Sequence, residues 1–314
     1  MENCRKIGLI GTLRETDVRL RAMEAIGCEV RTAAPEQCDE LQGDAEITAV
    51  YVCAPVKQRA ELCRNALRAG KHVLCQAPLA ATEAEARSLL EEAKRAGRTL
   101  NVAHPSRRTQ SALALREYVK GGSLGEIYYV RAQNVLHGEN SLRAALLGVQ
   151  KAEDGALLEL GADVLDLALW LMGGDRISSV AAASYGEGSS AVAMLKLRSG
   201  AVIALESAWA LHTCQVQPAL VTLCGALAGA VQNADGSWAV NMSHDGQLIT
   251  QRPDVEPKLM PSVREQAMQT MQCEFRHWLQ CISSEVSATE EEATLCGVLE
   301  ALSASAKNGR PEEL

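Results

Sequence analysis

Apolar and polar positions in the first third of the chain fall into a repeating order: a strand-sized apolar run, a turn, then an amphipathic stretch that stops at glycine. The runs occupy residues 6–11, 28–32, 49–54, 72–76 and 99–104, and the spacing predicts β–α units in a parallel sheet. Gly27, Gly70 and Gly97 stand where the helices close, because glycine enters the left-handed conformation without steric penalty. Thr82, with Glu85 three residues on, has the side chains of a capping box and opens the helix before Gly97. Right-handed crossovers make this a Rossmann-like, doubly wound sheet with its ligand crevice at the carboxyl ends of the strands.

A helical pattern over residues 110–120 precedes Gly121-Gly122, and from Glu126 onward strands follow one another without intervening helices. The domain boundary is therefore expected between residues 122 and 123, with a doubly wound α/β domain over 1–122 and an α+β domain over 123–314; the resemblance described below implies that the first binds a dinucleotide and the second serves substrate or oligomerisation. One helix, residues 156–172, interrupts the second domain. Alternating runs at 179–183, 191–197, 202–209 and 220–223 read as mostly antiparallel strands. Asp235-Gly236 and Asp245-Gly246 are hairpin signals, and residues 263–281 and 290–306 form closing helices.

Composition narrows the partners. A length of 314 residues suits two domains, and no apolar run is long enough to span a bilayer. The formal charge of −8, without a basic block, argues against nucleic acid or an anionic membrane as the main partner and leaves a small molecule. The opening residues lack the pattern of a signal peptide, so a cytoplasmic location is expected. Eleven cysteines are odd in number, scattered through apolar segments and never spaced C-x-x-C; they read as reduced core residues rather than a disulfide framework or metal site.

Four segments carry a resemblance. Ala69-Gly70-Lys71-His72-Val73-Leu74-Cys75-Gln76-Ala77-Pro78 is similar to the A-G-K-H-V segment followed by E-K-P of the glucose–fructose oxidoreductase, inositol dehydrogenase and rhizopine-catabolism family. Ala54-Pro55 resembles that family's T-P, and Gly122-Ser123-Leu124-Gly125-Glu126-Ile127 its G-x-L-G-x-I. The stretch from Gly155 through Glu159, Gly161 and Asp163 to Asp166 resembles G-x-L-x-D-x-G-x-H-x-x-D. The resemblance spans nearly the whole chain. It implies a dinucleotide fold joined to an open-faced sheet that lines the substrate side and builds a homo-oligomer, dimer or tetramer. It also implies hydride transfer between NAD or NADP and a sugar, cyclitol or related hydroxyl or keto compound.

Residue by residue, the resemblance marks a non-standard site. Gly11, Thr12, Leu13 and Arg14 fall on the phosphate-binding turn, with Leu13 and Thr16 where the second and third glycines of G-x-G-x-x-G would stand. Ala54, Pro55, Gln76 and Pro78 complete the cofactor-binding set. The second strand ends without a carboxylate for the ribose, and Arg14 or Arg31 either favours a 2′-phosphate or is a solvated charge. Ala77 takes the place of the family's lysine, and Asp163 that of its histidine. Glu159 and Asp163, four residues apart, share a helix face and form a candidate acid–base pair, or merely favour the helix amino terminus. His104 is a further candidate acid or base, or a hydrogen-bonded structural group. Arg107 would clamp an anionic group on the substrate, Asp166 is structural, and His137 is a weaker candidate. Two functions follow: an NAD(P)-dependent oxidoreductase with an altered site, or a catalytically inactive relative that binds a metabolite or protein partner.

Overall fold

The computed structural model describes residues 6–11, 13–136, 155–186, 188–209, 211, 219–233, 236–245, 247–252 and 263–314, with backbone alone at 13–17, 219, 244, 263 and 264. The chain forms two compact units. Among the described residues, one comprises those within 6–105 and 264–300, and the other those within 106–136, 155–252, 263 and 301–314.

The first unit contains β1 (Lys6–Gly11), α1 (Leu13–Ala25), β2 (Glu29–Ala33), α2 (Asp39–Gly43), β3 (Ala49–Cys53), α3 (Val56–Arg68), β4 (His72–Gln76), α4 (Glu83–Ala96) and β5 (Leu100–Ala103). The strands are parallel in the order β2-β1-β3-β4-β5. Every residue of β3 is buried, as expected for a central strand covered on both faces. Val50 and Val52 join Ile10, Val73 and Leu89 in one core, whereas Tyr51 joins Leu9, Leu74, Met271, Phe275 and Trp278 in the other. The last three belong to α7 (Val263–Ser283), so a distant segment completes the second core. Truncating Phe275 or Trp278 to alanine would cost about 3–5 kcal/mol.

Local chemistry sets the helix ends. Thr82 Oγ1 accepts from Glu85 N at 3.2 Å, and Gly97 closes α4 at φ +61°. Lys71, only 6% exposed, donates through Nζ to Asp44 O at 2.6 Å and Ile47 O at 2.8 Å. The lysine of the A-G-K-H-V segment therefore pins the loop that leads into β3.

The second unit holds α5 (Gln110–Lys120), β6 (Ile127–Val135), α6 (Ala162–Met172), β7 (Ile177–Tyr185), β8 (Ser190–Leu197), β9 (Val202–Ala208), β10 (Ala219–Gly225), β11 (Ala228–Asn233), β12 (Trp238–His244), β13 (Gln247–Gln251) and β14 (Glu312–Glu313). Helix α8 (Glu290–Asn308) runs from the first unit's segment into the second's. The sheet order is β13-β12-β11-β10-β6-β9-β8-β7-β14. The strand pairs are antiparallel except β6–β9, which is parallel. In β8, buried Ala191, Ala193, Leu195 and Leu197 alternate with outward Val192 and Met194, which are 55% and 62% exposed, so one face of this sheet is open. Asp245 lies between β12 and β13 at φ +50°, whereas Asp235 of the other expected turn lies outside the described residues.

One element departs from expectation. Residues 156–172 are helical, but Leu157–Gly161 is a π-turn, and the regular helix α6 begins only at Ala162. Asn134 Nδ2 donates to Leu160 O at 3.1 Å, a long-range bond that local helical periodicity does not encode.

Candidate active site

The nucleotide half is built by the carboxyl ends of β1, β3 and β4, where the strand order reverses between β1 and β3. Gly11 ends β1 opposite Cys53, Leu13 and Arg14 open α1, and Thr12 lies outside the described residues. Ala54 is buried and Pro55 caps α3; Gln76 ends β4, and the Ala77–Pro78 peptide is cis. Ala77 packs against the apolar core and offers neither charge nor donor there.

One residue joins these two strand exits. Arg59, 1% exposed, donates from Nε to Ala54 O at 2.7 Å and from Nη1 to Pro78 O at 3.0 Å. Its place in the sequence carries a signal: it lies on the buried stripe of α3 with Val56, Cys63 and Leu67, and an arginine in such a stripe needs acceptors.

Beside the carboxyl end of β2 is a cavity lined by Thr32, Ala33, Gln37, Asp39 and Glu40. Arg31 borders it, but its Nη1 donates to Asp44 Oδ2 at 2.7 Å. The switch point and this cavity fit a dinucleotide laid across the strand ends. The cavity's carboxylates suit ribose hydroxyls, whereas a 2′-phosphate would meet like charge.

His104 follows β5 and is 3% exposed. Its Nε2 lies 2.9 and 3.1 Å from the two carboxylate oxygens of Glu292, while its backbone N donates to Glu274 Oε1 at 3.1 Å. Two glutamates from the returning helices α7 and α8 thus hold it.

In the second unit, the short 3-10 turn Pro105–Arg108 supplies Ser106 and Arg107 to the face of α6. Ser106 Oγ donates to Asp163 Oδ2 at 2.7 Å. Arg107 donates from Nε to Asp166 Oδ2 at 2.7 Å and makes a second contact from Nη2 to Oδ1. The Arg107 and Arg116 guanidinium carbons lie 5.9 and 5.1 Å from the Trp170 ring centre, so both cations lie beside one indole. Burial and the Arg107 charge both press the Arg116 pKa down. Glu159 sits half-buried in the π-turn.

The turn after β5 therefore joins Ser106 to Asp163 and Arg107 to Asp166, while His104 is bound to Glu292. His137 lies outside the described residues. Sequence reasoning passed over Ser106, Arg59 and Glu292. A lone serine in a turn has no pattern of its own, and the partners of the other two are set by packing.

Known proteins give these halves a common context. The family described as "Oxidoreductase family, NAD-binding Rossmann fold" matches residues 7–104, and the family's C-terminal domain matches residues 112–225. D-glucoside 3-dehydrogenase of Escherichia coli (strain K12) is 27% identical over 221 residues, covering 64% of this chain and 62% of that protein. Inositol 2-dehydrogenase of Rhizobium meliloti (strain 1021) is 27% identical over 160 residues, covering 51% and 46%. The chain spans between about half and three-fifths of the length of the first curated relatives it matches. Among solved structures, an oxidoreductase from Pseudomonas syringae has TM-score 0.80 at 15% identity, covering 100% and 99% of the two chains. A levoglucosan dehydrogenase in complex with NADH has TM-score 0.77 at 19% identity and 98% coverage of each chain. At these identities the two structures speak for the fold. With both family domains matched in order, this chain belongs to the glucose–fructose oxidoreductase, inositol dehydrogenase and rhizopine-catabolism (GFO/IDH/MocA) family of oxidoreductases, and its amino-terminal domain is the family's NAD-binding Rossmann fold.

Proposed function

We propose that the protein is an NAD-dependent oxidoreductase of a sugar, cyclitol or related hydroxyl or keto compound, and that Asp163, oriented by Ser106, takes the proton-transfer role. The carrying observation is the 2.7 Å hydrogen bond from Ser106 Oγ to Asp163 Oδ2. A carboxylate held by a hydroxyl has a defined orientation, as a general base requires. Bound NAD supplies the hydride acceptor at its nicotinamide ring. In the oxidative direction Asp163 receives the substrate hydroxyl proton, and in reduction the protonated acid returns it. Glu159, four residues earlier in the π-turn, is the second candidate carboxylate.

Preference for NAD over NADP rests on the cavity beside β2, where Asp39 and Glu40 repel a phosphate and Arg31 is engaged by Asp44. Asp166 holds Arg107, which orders the turn carrying Ser106; Arg107 thereby supports the site instead of clamping an anionic substrate. His104 is held by Glu292 in the same supporting sense. The open face around Val192 and Met194 is the surface on which a second copy would pack to form a dimer or tetramer.

The test is titration calorimetry of nucleotide-stripped protein with NADH and NADPH, followed by a screen of aldoses and cyclitols with NAD⁺. NADH binding tighter than NADPH binding, with turnover that Asp163→Asn lowers by at least about a hundredfold, is the expected result. No binding of either nucleotide at millimolar concentration would overturn the enzyme reading and leave a relative that binds a metabolite or a protein.

A further inference from the structure

Strands β6 and β9 run parallel with Asn134 directly opposite Ser207. Along each strand, the nearest residues on the side that bears these two are apolar and buried: Val130 and Ala132 on β6, Ile203 and Leu205 on β9. Two polar residues side by side at the end of such a surface are costly unless something polar lies above them. What lies there is the π-turn Leu157–Gly161. Asn134 Nδ2 donates to Leu160 O at 3.1 Å, and a Cβ added at Gly161 would meet Ser207 Oγ at 3.4 Å. Ser207 is 0% exposed, and its hydroxyl has no hydrogen-bond partner among the described residues.

A π-turn replaces the i→i+4 bonds of a regular helix with i→i+5 bonds, and it survives only where its surroundings favour it over the regular form. An amide donor aimed at a carbonyl inside the turn stabilises the wide form. Gly161, lacking a side chain, lets the turn approach the strands. The consequence is angular. One extra residue in the turn rotates everything before it by about 100° relative to everything after it. Glu159 lies inside the turn and Asp163 just beyond it, so the wide turn sets the angle between the directions in which these two residues leave the helix.

We propose that Asn134, with Ser207 beside it, is a positioning residue that holds the π-turn open and so sets the orientation of Glu159 relative to Asp163. The inference rests on reading those carboxylates as the proton-transfer pair. Its own content, that Asn134 maintains the turn, is separable from that reading.

The experiment combines hydrogen exchange with kinetics on the full chain. Asn134→Leu removes the donor, Asn134→Asp keeps the size without a donor, and Ser207→Ala tests the neighbour; retained cooperative melting shows which variants fold. The Asn134 variants are expected to exchange at least about tenfold faster in peptides covering residues 155–166, with the rest of β6 and β9 unchanged. They are also expected to lower kcat by about tenfold to a hundredfold and to shift its pH profile, while the NADH dissociation constant stays within about twofold. Unchanged exchange over 155–166 in both Asn134 variants would overturn the proposal. Faster exchange with unaltered kcat and pH profile would overturn its link to the carboxylates. Faster exchange in a protein whose wild type turns over no substrate would sink the enzyme reading and leave the role of Asn134 standing.

Discussion

Ser106 and Asp163, separated by 57 positions in the chain, meet in a 2.7 Å hydrogen bond. If Asp163 is the base proposed above, Ser106→Ala should lower kcat about tenfold with little change in nucleotide affinity, because the carboxylate remains but its orientation is lost. Asp163→Asn, which removes the carboxylate, should then cost about 10²–10⁴ in kcat. Steady-state kinetics beside NADH titration checks both, and equal effects on kcat and NADH affinity would argue for a purely structural bond.

Arg107 and Asp166 make a bidentate pair in which the Asp166 side chain is 5% exposed and that of Arg107 is 20% exposed. Removing one partner takes a bidentate contact from the other charge in a largely buried setting. Asp166→Ala is therefore expected to destabilise by about 3 kcal/mol, and Arg107→Ala by a similar amount, with strong coupling in the double variant. Urea unfolding measures this. A rise in KM for Arg107→Ala at unchanged stability would instead restore Arg107 as a substrate clamp.

Arg59 supplies two charge-assisted bonds to the carbonyls of Ala54 and Pro78. In Arg59→Met both acceptors lose their donor, for an expected loss of about 2–4 kcal/mol of stability and weaker NADH binding. Arg59→Lys can reach only one carbonyl and should fall between. Equal unfolding midpoints for wild type and Arg59→Met would refute the tie.

His72 predicts the direction of a pH response. Thr99 N donates to His72 Nδ1 at 3.1 Å, so this nitrogen is an acceptor and the ring proton sits on Nε2. Burial lowers the His72 pKa, helped by the Arg98 charge and opposed by Glu285. The folded value lies below the ordinary 6.5, so the unfolded chain binds the proton first as pH falls. The group's contribution to stability is complete above about 6.5 and is lost as pH drops through the folded value. Melting temperature should therefore fall between pH 7.5 and 5, and less steeply in His72→Gln; parallel curves for the two proteins would exclude the residue.

Much of the framework was legible from residues alone. The expected strands at 6–11 and 72–76 and the helix at 110–120 coincide with the observed elements, and the Thr82 cap forms as its spacing implies. Strand and helix periods are properties of neighbouring residues, and glycines mark where those periods stop. The π-turn escaped because residues 156–172 carry ordinary helical spacing, and its cause lies on β6. The core around Tyr51 was equally hidden, since Phe275 and Trp278 reach it from more than two hundred residues away in the chain.

The sequence by itself determined the succession of a parallel and a mostly antiparallel sheet, and the family. Only the tertiary structure decided what the surviving polar residues do: Ser106 turns to Asp163, Arg107 to Asp166, His104 to Glu292 and Asn134 to the π-turn. The physical reason is range. Hydrophobic periodicity is written over a few consecutive residues, whereas a buried hydrogen bond requires two groups distant in sequence to arrive at the same point with matching geometry, and packing alone sets that meeting.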